Sequence, residues 1–106
     1  MIDLDVLRDN QRKTNLHWLA PNVDISKAVA TVPTEGSIVP YRPPNPKAGD
    51  IPHRYVFLLY TQPTTFKHPL QFANVSENRI GFDMPAYAAA AGLGVPVAAN
   101  FIQVQQ

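Results

Sequence analysis

Four side chains of this 106-residue chain stand on apolar, strand-like stretches and can do proton or anion chemistry: Asp3, Asp5, His17 and His53. An imidazole can give or take a proton near neutral pH, and a neighbouring carboxylate orients it and favours its charge. Asp3 and Asp5 are two residues apart. On a strand both would project from one face, roughly 7 Å apart at the backbone. Such a pair can do acid/base work or hold a cation, and it can equally be solvated or bonded to backbone amides. His53 opens the run His53-Arg54-Tyr55-Val-Phe-Leu-Leu-Tyr60, in which three hydrogen-bonding side chains precede a nearly unbroken apolar stretch. Polar groups at the end of a buried strand are a place for a ligand. Two readings stand for His53, a ligand-binding group or a satisfied core histidine. Arg54 reads as a surface charge or a structural ion pair. His68 lies in a polar loop and is expected to be exposed.

The elements that must position these groups are mostly strands. Residues 2–6 alternate apolar and polar, so Ile2, Leu4 and Val6 share one face and Asp3 and Asp5 the other. Residues 8–14 are polar and read as a loop. Residues 15–20 form a second strand candidate, with Leu16, Trp18 and Ala20 opposite Asn15, His17 and Leu19. Residues 24–29 make one helical turn or nothing regular, residues 34–36 a turn, and residues 38–41 a short strand broken by Pro40. The proline-rich stretch 42–52 reads as an ordered loop whose stiffness suits the wall of a site. Residues 53–61 form a strand buried on both faces, because the alternation of a half-exposed strand is absent. One or two helical turns fit residues 69–74. The best helix runs from Asp83 to Gly92, with Asp83 as N-cap, Pro85 in the first turn, a run of alanines and a closing glycine. Residues 97–105 read as a last strand.

Composition narrows the function classes. A formal charge of +1 with scattered basic residues gives no footprint for nucleic acid or an acidic membrane. With no cysteine, disulfides, thiolate catalysis and Cys-ligated zinc are excluded. No apolar run approaches the roughly 18–20 residues that span a bilayer. No leader-like pattern of basic then apolar residues opens the chain, so a cytoplasmic location is expected. Eleven prolines disfavour an all-helical fold. There is no His-Glu-x-x-His, no glycine-rich phosphate loop and no Gly-x-Ser-x-Gly elbow, so no metal, cofactor or nucleophile motif is read. Asn74-Val-Ser76 is a glycosylation triplet that matters only in a secreted protein.

Several of these pieces stand in a familiar order. Asp3-Leu-Asp-Val-Leu7, Leu16-His17-Trp18, Tyr41 with eleven residues before the histidine, Asp50-Ile-Pro-His53-Arg54-Tyr55-Val-Phe, and Gly94-Val-Pro-Val-Ala-Ala-Asn-Phe together resemble the phosphatidylethanolamine-binding protein (PEBP) family. In wording the match is closest to fungal members. Leu4 and Leu7 replace two family prolines, and Asn45 stands where a glycine is expected. The resemblance implies a mostly β fold, a reduced PEBP-like β-sandwich with one or two short peripheral helices. It also implies a single domain over residues 1–106 that lacks the family's N-terminal strands and C-terminal helix. An exposed sheet edge then calls for a homodimer or a partner chain, or for the chain to be half of a longer protein.

The resemblance further implies a small pocket for a phosphate or carboxylate group. Its ligand-binding candidates are Asp3, His17, Pro46, His53 and Tyr55. The two histidines would donate to the anion, Asp3 would orient one imidazole, and Pro46 would sit on the rim. Three functions compete. One is a binding module for an anionic head group or small molecule that regulates protein partners. Another is a non-redox enzyme, an acid/base isomerase or cyclase acting on a small fungal metabolite, with His53 and His17 as acid and base and Asp3 as their orienting group. The last is a folded remnant whose pocket is vestigial.

Overall fold

A tight hairpin sets the register of the whole sheet. Strand β1 (Ile2–Arg8) turns through Asp9 and Asn10 into β2 (Gln11–Leu16), and both turn residues have positive φ, 52° and 58°. Two left-handed residues in a two-residue loop match the twist of the flanking strands, and Asp and Asn tolerate that conformation better than most side chains. The polar segment 8–14, expected to be a loop, is therefore mostly strand. Its side chains are too uniformly polar to show alternation. The computed structural model describes residues 1–27, 29, 31 and 35–106.

Strand β3 (His53–Leu59) lies on the other side of β1, and β4 (Ala98–Val104) follows it, giving an antiparallel sheet in the order β2-β1-β3-β4. Ile2 stands opposite both Leu16 and Val56, whereas Asp3 stands opposite Asn15 and Tyr55. One face of the sheet is thus apolar and the other carries the polar candidates, as a period of two requires. The apolar face packs against Val39, Val75, Phe82 and Tyr87 to form the core.

Helix α1 (Met84–Ala91) supplies Tyr87. Asp83 caps it by accepting from the Ala86 amide at 3.0 Å, and Gly92 closes it at φ 69°. Phe72, the last residue of a short 3₁₀ turn at Leu70–Phe72, meets the Tyr87 ring edge-on at 5.0 Å. The strand expected at residues 38–41 is a single bridge between Leu19 and Val39. Ala28 and Thr34, within the expected turns at 24–29 and 34–36, lie outside the described residues. His68 is not exposed. It is half-buried, bonded to the Tyr87 hydroxyl at 3.0 Å and to the Phe72 carbonyl at 2.9 Å.

Burial along β3 departs from the expectation of a strand covered on both faces. Tyr55 is fully buried, but Phe57 is 37% exposed, because β4 outside it is exposed at nearly every position. An apolar cavity of about 670 Å³ opens along this region, with Trp18, Phe57, Phe66 and Tyr87 in its lining.

Candidate functional site

The site begins with a bulge. The register of β1 against β2 shifts between Asp3 and Val6, which breaks the alternation that would aim Asp3 and Asp5 the same way. Asp3 turns one oxygen back to its own strand, accepting from the Asp5 amide at 2.8 Å, and gives the other to His53 Nδ1 at 2.8 Å. Asp5 instead takes the ladder position beside β3. It accepts from the Arg54 amide at 2.8 Å and from the Arg54 guanidinium at 2.9 and 3.0 Å. These bonds hold its carboxyl below the usual range, the Arg54 side chain first. The two aspartates thus have separate partners. Arg54 is a structural ion pair.

His53 and Asp3 are both buried, and burial alone would lower the imidazole's affinity for a proton. Hydrogen bonds and charge from Asp3 and Asp50 outweigh it and raise the pKa above its ordinary value. Tyr55 lies between the two histidine rings. His53 is stacked beside it at 6.3 Å and His17 meets it edge-on at 5.2 Å. The Tyr55 hydroxyl is pushed up to about 12, by burial and then by the Asp3 charge, with the Asn45 backbone pulling the other way. It therefore stays protonated as a donor.

His17 is held from behind. Its Nδ1 lies 2.9 Å from the Arg42 carbonyl, and a carbonyl only accepts, so Nδ1 carries the proton. Its Nε2 faces the Asn15 amide at 3.3 Å and accepts from it. The backbone on both sides of this contact is tied by Arg79. The buried Arg79 guanidinium donates to the carbonyls of Ser76, Leu16, His17 and Pro40 at 3.0–3.4 Å.

At the open end Asp50 bridges two side-chain donors and also accepts from the Ile51 amide at 2.8 Å. Its carboxylate takes the Arg12 fork at 2.7 and 2.9 Å and His53 Nε2 at 3.0 Å, which holds it well below the usual carboxylate range, Arg12 contributing most. Arg12 also donates to the Asp5 carbonyl at 2.7 Å.

Of the sequence candidates, Asp3, His17, His53 and Tyr55 gather on one sheet face, and Pro46 is buried in the adjoining loop. The imidazole that Asp3 orients is His53. Sequence reading missed Arg12, Asp50 and Arg79. A turn signal at Asp9-Asn10 would have placed Arg12 on a strand, where Leu7 stands opposite it. Nothing local marks Arg79. Among the described residues, no group of three or more His, Asp or Glu side chains is arranged to hold a metal ion, and no helix is long and apolar enough to cross a membrane.

The antiparallel sheet carries an aspartate-oriented histidine, a second histidine and a buried tyrosine on one face, and comparison with known proteins gives the family of the chain. The family model described as phosphatidylethanolamine-binding protein matches residues 1–103, and the chain belongs to that family. It is 38% identical to a phomoidride biosynthesis cluster protein N of a fungal species, over 98% of this chain and 50% of that protein. It is 36% identical to the protein of the same name in Talaromyces stipitatus, over 95% of this chain and 54% of that one. Protein TERMINAL FLOWER 1 of Arabidopsis thaliana is 35% identical over the whole chain and 56% of its own length. The chain spans about half the length of these relatives. No solved structure gives a significant match.

Proposed function

We propose that this chain binds a small anion, a phosphate or carboxylate group, against the row His17–Tyr55–His53. The observation that carries this reading is the Asp3–His53 pair, buried at 1% and 3% exposure beside Tyr55 and His17. A buried polar cluster of this kind costs stability unless every group is bonded, and such clusters concentrate at functional sites. Tyr55 donates its hydroxyl proton, the Asn45 amide supports it, and Pro46 stiffens the rim. Asp3 fixes the His53 ring. His17 lines the other side of the site, its ring held through Nδ1 by the Arg42 carbonyl. Calorimetric titration with inorganic phosphate tests the reading. Saturable binding that Tyr55→Phe weakens supports it, and an absence of binding by the folded chain contradicts it.

A second reading has its own support. Two relatives carry the name phomoidride biosynthesis cluster protein N, which favours acid/base chemistry on a small fungal metabolite at the same residues. His53 and His17 would then be acid and base, and Asp3 would position His53. Conversion of a small molecule by the chain, lost in His53→Ala, separates this from simple binding.

We also propose that a second copy or a partner chain covers the β4 edge as part of the working protein. Val97, Phe101 and Ile102 are exposed there at 60%, 57% and 45%. An uncovered strand edge with apolar side chains favours pairing. Light scattering on the eluting peak reads this directly, and a stable monomer at micromolar concentration rejects it.

A further inference from the structure

We propose that the Arg12 guanidinium and His53 Nε2 form a carboxylate-accepting subsite, and that Asp50 fills it in the free chain as a displaceable internal ligand. The geometry is that of a receptor with its ligand in place. Asp50 Oδ1 is 2.7 Å from Arg12 Nη2, and Oδ2 is shared between Arg12 Nη1 at 2.9 Å and His53 Nε2 at 3.0 Å. A guanidinium fork meeting both oxygens is how arginine selects a free carboxylate.

The occupant and the receptor come from different parts of the fold. Arg12 stands on β2 and His53 on β3, two elements fixed in the sheet. Asp50 belongs to a surface turn closed by its own amide on the Lys47 carbonyl at 3.1 Å, with Gly49 at φ 81°. The Arg12 side chain is 35% exposed and that of Asp50 14%, whereas the Asp3–His53 contact behind them is closed. A solute therefore reaches the subsite from outside without opening the core.

Charge favours the exchange. With Asp50 seated, Asp3, Asp5 and Asp50 balance Arg12, Arg54 and a His53 ring that donates from both nitrogens. With Asp50 turned away, one positive charge is left over, which an incoming carboxylate neutralises. An internal ligand lowers the apparent affinity for an external one by the fraction of time that it occupies the site. Removing Asp50 should therefore tighten binding. The subsite adjoins the anion site proposed above and rests on that reading.

Titration of the folded chain with acetate and, separately, with inorganic phosphate tests this, with the ring signals of His17 and His53 followed by NMR. Asp50→Ser is expected to tighten acetate binding about tenfold, and adding Arg12→Met is expected to abolish the gain. Asp50→Asn, which keeps the size and removes the charge, should give a smaller gain in the same direction if the serine variant does not fold. Unchanged or weaker acetate binding in the Asp50 variants, with phosphate still moving the His17 ring, would overturn the subsite and leave the anion site standing. No response of either ring to either anion in any variant would overturn both.

Discussion

The carboxylate of Asp3 and the imidazole of His53 meet at 2.8 Å across fifty residues of sequence, each side chain less than 5% exposed. The pair sits where the β1 bulge, the start of β3 and the proline-rich loop come together. Breaking a buried ion pair by removing one partner leaves the other polar group without compensation. Asp3→Ala should therefore destabilise the fold by about 3 kcal/mol, the lower end of the range for such losses. Urea unfolding of the two proteins at neutral pH measures this.

Stability should depend on pH with two limbs. The His53 pKa is raised in the fold, so its contribution is fully present below about 6.5, the unfolded value, and is lost as pH rises through the folded value. Asp5 and Asp50 are lowered, so their contributions are present above about 4 and are lost as pH falls. Unfolding midpoints across a pH series should pass through a maximum between these limits. His53→Gln should flatten the alkaline limb and leave the acid limb in place.

Anion binding should depend on how His17 is held. The Arg42 carbonyl fixes the ring through Nδ1 at 2.9 Å, and the ring meets Tyr55 edge-on. Sulfate affinity, read by calorimetric titration, should fall several-fold in His17→Ala, and an unchanged affinity in the folded variant would remove His17 from the site.

Arg79 should matter to the site without touching it. Its guanidinium ties the carbonyls of His17 and Pro40, which flank the Arg42 carbonyl that orients the His17 ring. Hydrogen bonds from a charged donor contribute roughly 1.5–3 kcal/mol each, and truncation leaves several carbonyls unpaired. Arg79→Met should cost about 3 kcal/mol in urea unfolding. It should also loosen the His17 ring, which the ring's NMR signals report at temperatures where the variant is folded.

The parts of the fold most legible in the sequence are those with local causes. The apolar run after His53 makes a strand under almost any tertiary arrangement. Asp83, Pro85 and Gly92 mark both ends of α1 by capping alone. Polar Gln11–Leu16 pairs through backbone bonds and a turn of two left-handed residues, signals that hydrophobic periodicity does not carry. Two-sided burial of β3 failed for a related reason, since cover is a property of neighbours and β4 has little outside it. His68 was misplaced because its partners, Tyr87 and Phe72, belong to later elements. The site divides the same way. Family resemblance gathered Asp3, His17, His53 and Tyr55, but the ion pairs Arg12–Asp50 and Asp5–Arg54 depend on a bulge and a hairpin register.

The anion site proposed between His17, Tyr55 and His53 can be read by NMR titration of the folded chain with inorganic phosphate, followed at the two imidazoles and at the Asn45 amide. All three signals should move together and saturate, and Tyr55→Phe should weaken the response. Signals that stay fixed while the chain remains folded, or that move only at exposed lysines, would contradict the proposed site.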